Sequence, residues 1–218
     1  MKNADNRTLG QKIRRVISVR NRIAGLALSL AGIKPLLDAR PAHAYPYSAL
    51  EMWRLYYDMR RRQPETVMEF GVGSSTIAIA AALRKNGRGR LITVDGSKEW
   101  IAVCRDSLPQ HLREYVEFVY SPVERIEGEQ AHRYTQRPNV ALDYLFLDGP
   151  SVQHIPDWEG PPVAADPILP DMKFNKGARI MVEGRRKNVQ FLKERLDASW
   201  HMKKDKTLAL TWVSFDHI

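Results

Sequence analysis

The residues best placed to do chemistry stand in three short clusters. The first is Glu69-Phe70-Gly71-Val72-Gly73-Ser74-Ser75-Thr76. Two glycines permit a tight turn and let backbone approach a ligand, and Ser74 or Ser75 can cap a following helix whose first amides point outward as donors. The second cluster is Asp95-Gly96-Ser97, directly after Leu91-Ile92-Thr93-Val94. A carboxylate there can accept from both hydroxyls of a ribose, while Gly96-Ser97 takes over the helix cap. The third is Asp148-Gly149-Pro150 after Tyr144-Leu145-Phe146-Leu147. A carboxylate at the end of a buried strand needs a partner or a ligand to offset its desolvation, unless it caps the next loop.

These clusters need a scaffold that sets them side by side. From Thr66 onward, short apolar runs alternate with helical patterns. Strands are predicted at 66–70, 90–94, 116–119, 142–147 and 178–182, with helices at 74–84, 97–108 and 187–197 and one more through 124–132. Strands 200–203 and 208–215 would close the chain as a hairpin joined through Lys204, Asp205 and Lys206. Apolar strands separated by helices imply a mostly parallel α/β sheet covered on both faces, with one antiparallel strand added at the end. In such a sheet, ligands bind beyond the carboxyl ends of the strands, which is where all three clusters fall. Before the sheet, 48–62 reads as a helix ended by Pro64. Pro41 and Pro46 mark a linker.

Leu9, Ile13, Val16, Ile17, Ala24, Ala27 and Leu28 recur at helical spacing, with Lys12, Arg14, Arg15 and Arg22 off the stripe. The stripe would pack on the core, seam a homodimer, or lie on an acidic partner or membrane surface. We therefore divide the chain into a basic helical extension and linker, residues 1–46, and an α/β domain, residues 47–218.

The net charge of +9 suggests nucleic acid until it is located. Residues 1–62 hold 13 Lys/Arg against 4 Asp/Glu, and the rest holds 21 of each sign. Residues 63–218 are neutral and lack a basic groove interleaved with aromatics, which argues against a nucleic-acid substrate. The longest apolar run, 23–33, falls short of the roughly 20 residues a span requires. Ala42-His43-Ala44 mimics a cleavage site, but the charged leader before it is too long for a signal peptide. Cys104 has no partner for an internal disulfide. The expectation is a cytoplasmic protein.

Two fingerprints fail. Thr76 stands where a dinucleotide turn wants its third glycine, and no P-loop lysine follows. Instead, Val67 to Thr76 resembles the first motif of class I S-adenosylmethionine-dependent methyltransferases. Leu91 to Asp95 is similar to their second motif, and Leu145 to Pro150 to their fourth. The resemblance runs from about Glu65 to the C-terminus and implies a Rossmann-like seven-stranded sheet. It implies that Glu69, Phe70 and the Gly71–Ser75 loop face the methionine part of the cofactor and Asp95 the ribose. Ser121-Pro122-Val123 would border the adenine, with Trp100 near it.

In one branch of that family, paired acids after the fifth strand hold a divalent metal. Here Met181-Val182-Glu183-Gly184-Arg185-Arg186 offers one acid and a nearby Arg. Mg²⁺ on Asp148 and Glu183 is thereby disfavoured against an ion pair of Glu183 with Arg185 or Arg186. The implied reaction is methyl transfer to a hydroxyl, with Asp148, His154 and Glu183 as candidate bases. The long stretch from Gly149 to Lys176 contains Trp158 and four acids, Asp157, Glu159, Asp166 and Asp171. It reads as a substrate cover that favours a sugar, polyol or cationic small molecule over a polyanion. The competing reading is a non-catalytic module that keeps the fold and binds a partner through its basic N-terminus.

Overall fold

The computed structural model describes residues 9–155, 160–204 and 213–218, with the side chains of 9–16 and 154 left out. The elements in order are α1 (Leu9–Leu30), α2 (Lys34–Asp38), α3 (Ala49–Arg62), β1 (Thr66–Phe70), α4 (Ser74–Asn86) and β2 (Arg90–Asp95). Then come α5 (Lys98–Ser107), α6 (Gln110–Arg113), β3 (Val116–Tyr120), β4 (Val123–Arg125), β5 (His132–Tyr134) and β6 (Ala141–Leu147). The chain ends with β7 (Lys173–Val182), α7 (Arg186–Arg195), β8 (Trp200–Lys204) and β9 (Val213–His217). Short 3-10 turns occupy Val152–His154 and Asp166–Ile168.

The main sheet has seven strands in the order β3-β2-β1-β6-β7-β9-β8. All neighbours from β3 to β7 are parallel, and β9 runs antiparallel to both β7 and β8. This is the predicted Rossmann-like arrangement, with the N-terminal helices added. Val67, Met68, Phe70, Leu91, Ile92, Val94 and the Leu145–Leu147 run are fully buried, as strands covered on both faces must be. One apolar cluster joins α3 and α4 to one face, and a second joins α7 and the 163–165 segment to the other. Winding reverses between β1 and β6, which opens a crevice at their carboxyl ends.

Several local expectations are corrected. The helix predicted through 124–132 is absent: β4 and β5 pair antiparallel there. Gly128 takes φ 77°, the left-handed region that favours glycine, and the Ile126 amide donates to the Ala131 carbonyl at 2.9 Å. Local helical spacing lost to a turn that glycine makes easy. The strand predicted at 178–182 starts at Lys173, because its first residues pair with Ala141 and Leu142 before a register shift. Helices α2 and α6 were not predicted. The last strand is described from Val213, so the expected 208–212 portion and the Asp205-Lys206 connection lie outside the described residues.

Helix α1 packs on α3. Asn21 Oδ1 accepts the Leu50 amide at 2.9 Å, and Ala24 is buried with Leu50 against Trp53. At the amino ends of the strands, Arg179 on β7 joins elements far apart in sequence. Its Nε and Nη2 donate to the Asp216 carboxylate at 2.6 and 3.0 Å, and its Nη1 to Asp58 at 3.0 and 3.1 Å. Asp58 also accepts from the buried Tyr144 hydroxyl at 2.9 Å. Removing the cation would leave two carboxylates facing each other. Such losses run to roughly 3–5 kcal/mol when fully buried. Water reaches part of this cluster, so Arg179→Leu is expected to lower the unfolding free energy by about 2–3 kcal/mol, read by urea denaturation.

Candidate functional site

The site begins with Glu69, fully buried on β1. The Thr76 and Thr93 hydroxyls donate to its Oε2 at 2.6 and 2.7 Å. Thr76 also accepts the Gly73 amide at 3.0 Å, which ties the turn after β1 to the strand beneath it. That gives the residue at the missing third-glycine position a definite task. Glu69 Oε1 has no hydrogen-bond partner. The Ser75 hydroxyl lies close enough to favour the ionised carboxyl without a well-formed bond, yet burial dominates and raises Glu69 to about 7.

Asp95, nearly buried at the end of β2, pins two turns. Its Oδ2 accepts the Val72 amide and its Oδ1 the Ser97 amide, each at 2.9 Å. The α5 cap is the Ser97 hydroxyl, which accepts from the Trp100 amide at 3.0 Å, so capping and the carboxylate divide as expected. The Trp100 indole donates to the Val72 carbonyl at 2.7 Å. Its ring forms one wall of the crevice, edge-on to His43.

The turns after β1 and β6 meet backbone to backbone. The Asp148 amide donates to the Phe70 carbonyl at 3.0 Å. A Cβ on Gly149 would lie 2.8 Å from Gly71 N. Gly71 itself, at φ 97°, would meet Gly149 N at 3.0 Å, so neither position admits a side chain. A Cβ on Gly73, by contrast, meets nothing within 4 Å.

Gly71, Val72, Asp95, Ser97, Trp100 and Asp148 line one cleft of ≈ 860 Å³. Its other walls come from outside the predicted clusters. The segment 39–48, which includes the linker expected at 41–46, contributes His43 and Tyr45, while 149–153 and 160–162 face it. Gln153 Nε2 donates to the Tyr45 hydroxyl at 2.9 Å across the mouth. Arg40 holds the segment in place by donating to the Leu37 and Tyr45 carbonyls at 3.1 and 2.9 Å. Gly73, Ser74 and Ser75 lie in an adjoining recess of ≈ 140 Å³ with Glu51, Asp148 and Glu183.

Phe70 is buried beneath the turn, stacked on Tyr134 at 4.8 Å. Gly96 lies between Asp95 and the Ser97 cap of α5 and does not line the cleft. Ser121 is buried, its hydroxyl accepting the Gln136 amide at 2.8 Å, and neither it nor Pro122 or Val123 lines the cleft. His154 falls in the 3-10 turn at the rim, and its side chain is outside the described residues.

Arg185 settles on Asp148 rather than making the expected pair with Glu183. It donates to the Asp148 and Pro150 carbonyls, and its Nε lies 3.7 Å from the Asp148 carboxylate. Half of the Asp148 side chain is open to the cleft, yet protein crowds the carboxyl elsewhere, and burial raises it to about 6 against the pull of Arg185. Glu183 is pushed well above the carboxylate range by burial, the Asp148 charge and the facing Glu51 carboxyl. Glu51, on α3, was missed by sequence reasoning, which looked only behind strands.

Two of the four loop acids are engaged by an arginine instead of facing the cleft. Asp166 is buried against Arg137, as Asp171 is paired with it at 2.6 Å, and Asp157, Trp158 and Glu159 lie outside the described residues. Among the described residues, Asp95 and Asp148 are the acids that line the cleft, and Glu51, Asp148 and Glu183 those that line the recess beside it. Among the described residues, no group of three His, Cys, Asp or Glu side chains is arranged to hold a metal ion.

A carboxyl raised by folding keeps its proton over a pH range in which the unfolded chain has lost it. Raising pH through that range therefore favours unfolding. Glu69 and Asp148, raised to about 7 and about 6, place the window above the ordinary carboxylate values near 4 and up to neutrality. Ligand-free protein is expected to lose stability from about pH 4 to about pH 7. Glu69→Gln, followed by urea unfolding across that range, should shrink the loss.

Residues 68–160 match the model of a family described as a methyltransferase domain. Among solved structures, the chain is similar to the SAH-bound methyltransferase PaMTH1 of Podospora anserina, at 13% identity over all of both chains with TM-score 0.61. It is also similar to an O-methyltransferase of Bacillus cereus in complex with SAH, at 14% identity over 93% of this chain and 99% of that one, TM-score 0.55. A third likeness is to the O-methyltransferase TomG of Streptomyces achromogenes, in complex with SAM. There the identity is 17% over 92% of this chain and 97% of that one, with TM-score 0.53. No curated protein sequence matches the chain.

Proposed function

We propose that this chain, which has the class I S-adenosylmethionine-dependent methyltransferase fold, transfers a methyl group from S-adenosylmethionine to a hydroxyl of a small molecule. The observation that carries the reading is the convergence of Gly71, Val72, Asp95 and Asp148 on one cleft at the β1/β6 switch point, with Gly73 in the recess beside it. The residues fit the cofactor. Gly73 leaves open space where a side chain would stand, and buried Glu69 keeps one oxygen without a partner. Asp95 bonds one backbone amide through each oxygen, and each oxygen has a second lone pair for a ribose hydroxyl. Trp100 offers an apolar wall beside it.

When bound, the cofactor supplies an electrophilic methyl group on a sulfonium. The protein's part is then to orient the acceptor, exclude water and take a proton. Asp148 is the base this reading selects. At about pKa 6 it is ionised at neutral pH, it opens to the cleft, and Arg185 fixes the turn that carries it. Glu183 holds its proton and suits a hydrogen-bond donor to the acceptor better than a base. The ionised Asp148, with Glu51 and Glu183 in one recess, disfavours a polyanion and suits a neutral or cationic acceptor, a sugar or polyol among them. No described helix is long and apolar enough to cross a membrane. A cytoplasmic place belongs to the same proposal, on the ground that S-adenosylmethionine is made there.

Calorimetry with S-adenosylmethionine tests the cofactor. Gly73→Leu introduces a side chain, whose Cβ meets no protein atom, into the recess that adjoins the cleft, so it should abolish heat of binding while the circular dichroism stays native. Unchanged affinity in that variant would remove the cofactor from this cleft. For the chemical step, the rate at saturating cofactor is expected to rise with pH through about 6 as Asp148 loses its proton. Asp148→Asn should lower kcat by about 10²–10⁴-fold and erase that limb.

A further inference from the structure

Helix α1 has two apolar faces, and α3 uses only one. Asn21, Ala24, Gly25 and Leu28 face the body of the protein. On the opposite side, Val19, Ile23, Leu26 and Leu30 follow a 4-3-4 spacing that a 3.6-residue helix aligns as one ridge. Their exposures are 48%, 61%, 68% and 91%, rising toward the helix end. Burial on the core, the role that amphipathic spacing most often serves, leaves this ridge unexplained.

The charge around it narrows what it meets. Helix α1 contains Lys12, Arg14, Arg15, Arg20 and Arg22 and no Asp or Glu. The exposed Arg20 and Arg22 fall on either side of the ridge at 100° per residue. Two copies joined ridge to ridge would bring cations against cations, with no acid in the helix to answer them. A nucleic-acid backbone would answer the arginines and leave the apolar side chains in water. A bilayer with anionic headgroups satisfies both at once: acyl chains take the ridge and phosphates take the flanks.

We propose that α1 docks this protein on anionic lipid surfaces, with Val19, Ile23, Leu26 and Leu30 sunk below the headgroups and Arg20 and Arg22 at their level. This stands independently of the transfer chemistry. The cleft is bounded by 39–48, the segment that leads from α1 and α2 into α3, so docking would hold the enzyme body to the surface by its own site wall.

Sedimentation of the full chain with vesicles tests it. Vesicles of phosphatidylcholine mixed with phosphatidylglycerol should carry the protein down, and pure phosphatidylcholine should not, with binding weakened by salt. The exposed pair Ile23→Ser/Leu26→Ser should weaken binding on the order of tenfold or more. Arg20→Gln/Arg22→Gln should weaken it about 25-fold, at about fivefold per cation. Both variants should keep native circular dichroism and wild-type calorimetry with S-adenosylmethionine. Equal binding to neutral vesicles, no binding to either, or ridge variants that bind like the wild type would overturn the proposal. So would light scattering that shows a dimer which the serine pair makes monomeric, since the ridge would then belong to a second copy. Binding to random-sequence RNA that is lost with the arginines and kept with the serine pair would assign the helix to nucleic acid instead.

Discussion

The meeting of two turns without side chains controls this molecule's crevice. Strands β1 and β6 lie side by side and wind outward in opposite directions, so the chain leaves both at the same point. There Gly71 and Gly149 approach so closely that a Cβ on either would strike the other's backbone. Asp95 adds a second fastening by accepting the amides of Val72 and Ser97 together. Once these contacts form, the turns after β1, β2 and β6 are set relative to one another, and the rest of the cleft is built around them.

The same junction concentrates carboxyl groups. Glu69 sits beneath the turn, Asp148 opens to the cleft, and Glu183 faces Glu51 in the recess beside it. Their desolvation opposes folding, and the surrounding protein compensates only partly: two threonine hydroxyls hold Glu69 and one arginine stands at Asp148. Conflict of this kind between stability and local chemistry is expected where a site must handle protons near neutral pH. The contrast with the other end of the sheet is instructive. There Arg179 pairs two carboxylates closely, and Asp216 is held below its usual range by that arginine and Lys203.

The excess cations fall in the first 62 residues, and residues 63–218 hold as many acids as bases. The N-terminal segment is nonetheless more than an appendage. It folds back so that Arg40 fixes 39–48 against the body, and Tyr45 reaches Gln153 across the mouth. The division between extension and domain that composition suggests therefore runs through the wall of the cleft.

By itself, the sequence determined the parallel sheet, most strand positions and the three turns at its carboxyl rim. Those features are written in local patterns: continuous apolar runs, glycines where backbone must pass close, and a carboxylate at each strand end. It did not determine the β4–β5 ribbon, whose residues carry helical spacing and yield to a left-handed Gly128. Nor did it determine which acids face the cleft. Asp166 and Asp171 read as members of a substrate cover, but Arg137 claims both, while Glu51 arrives from a helix before the sheet. Likewise, the apolar spacing of α1 is visible in sequence, but its division into one buried and one exposed face depends on where α3 lies. Local periodicity sets an element's type. Which side of it meets protein, ligand or solvent is decided by neighbours distant in sequence, and only tertiary packing brings those together.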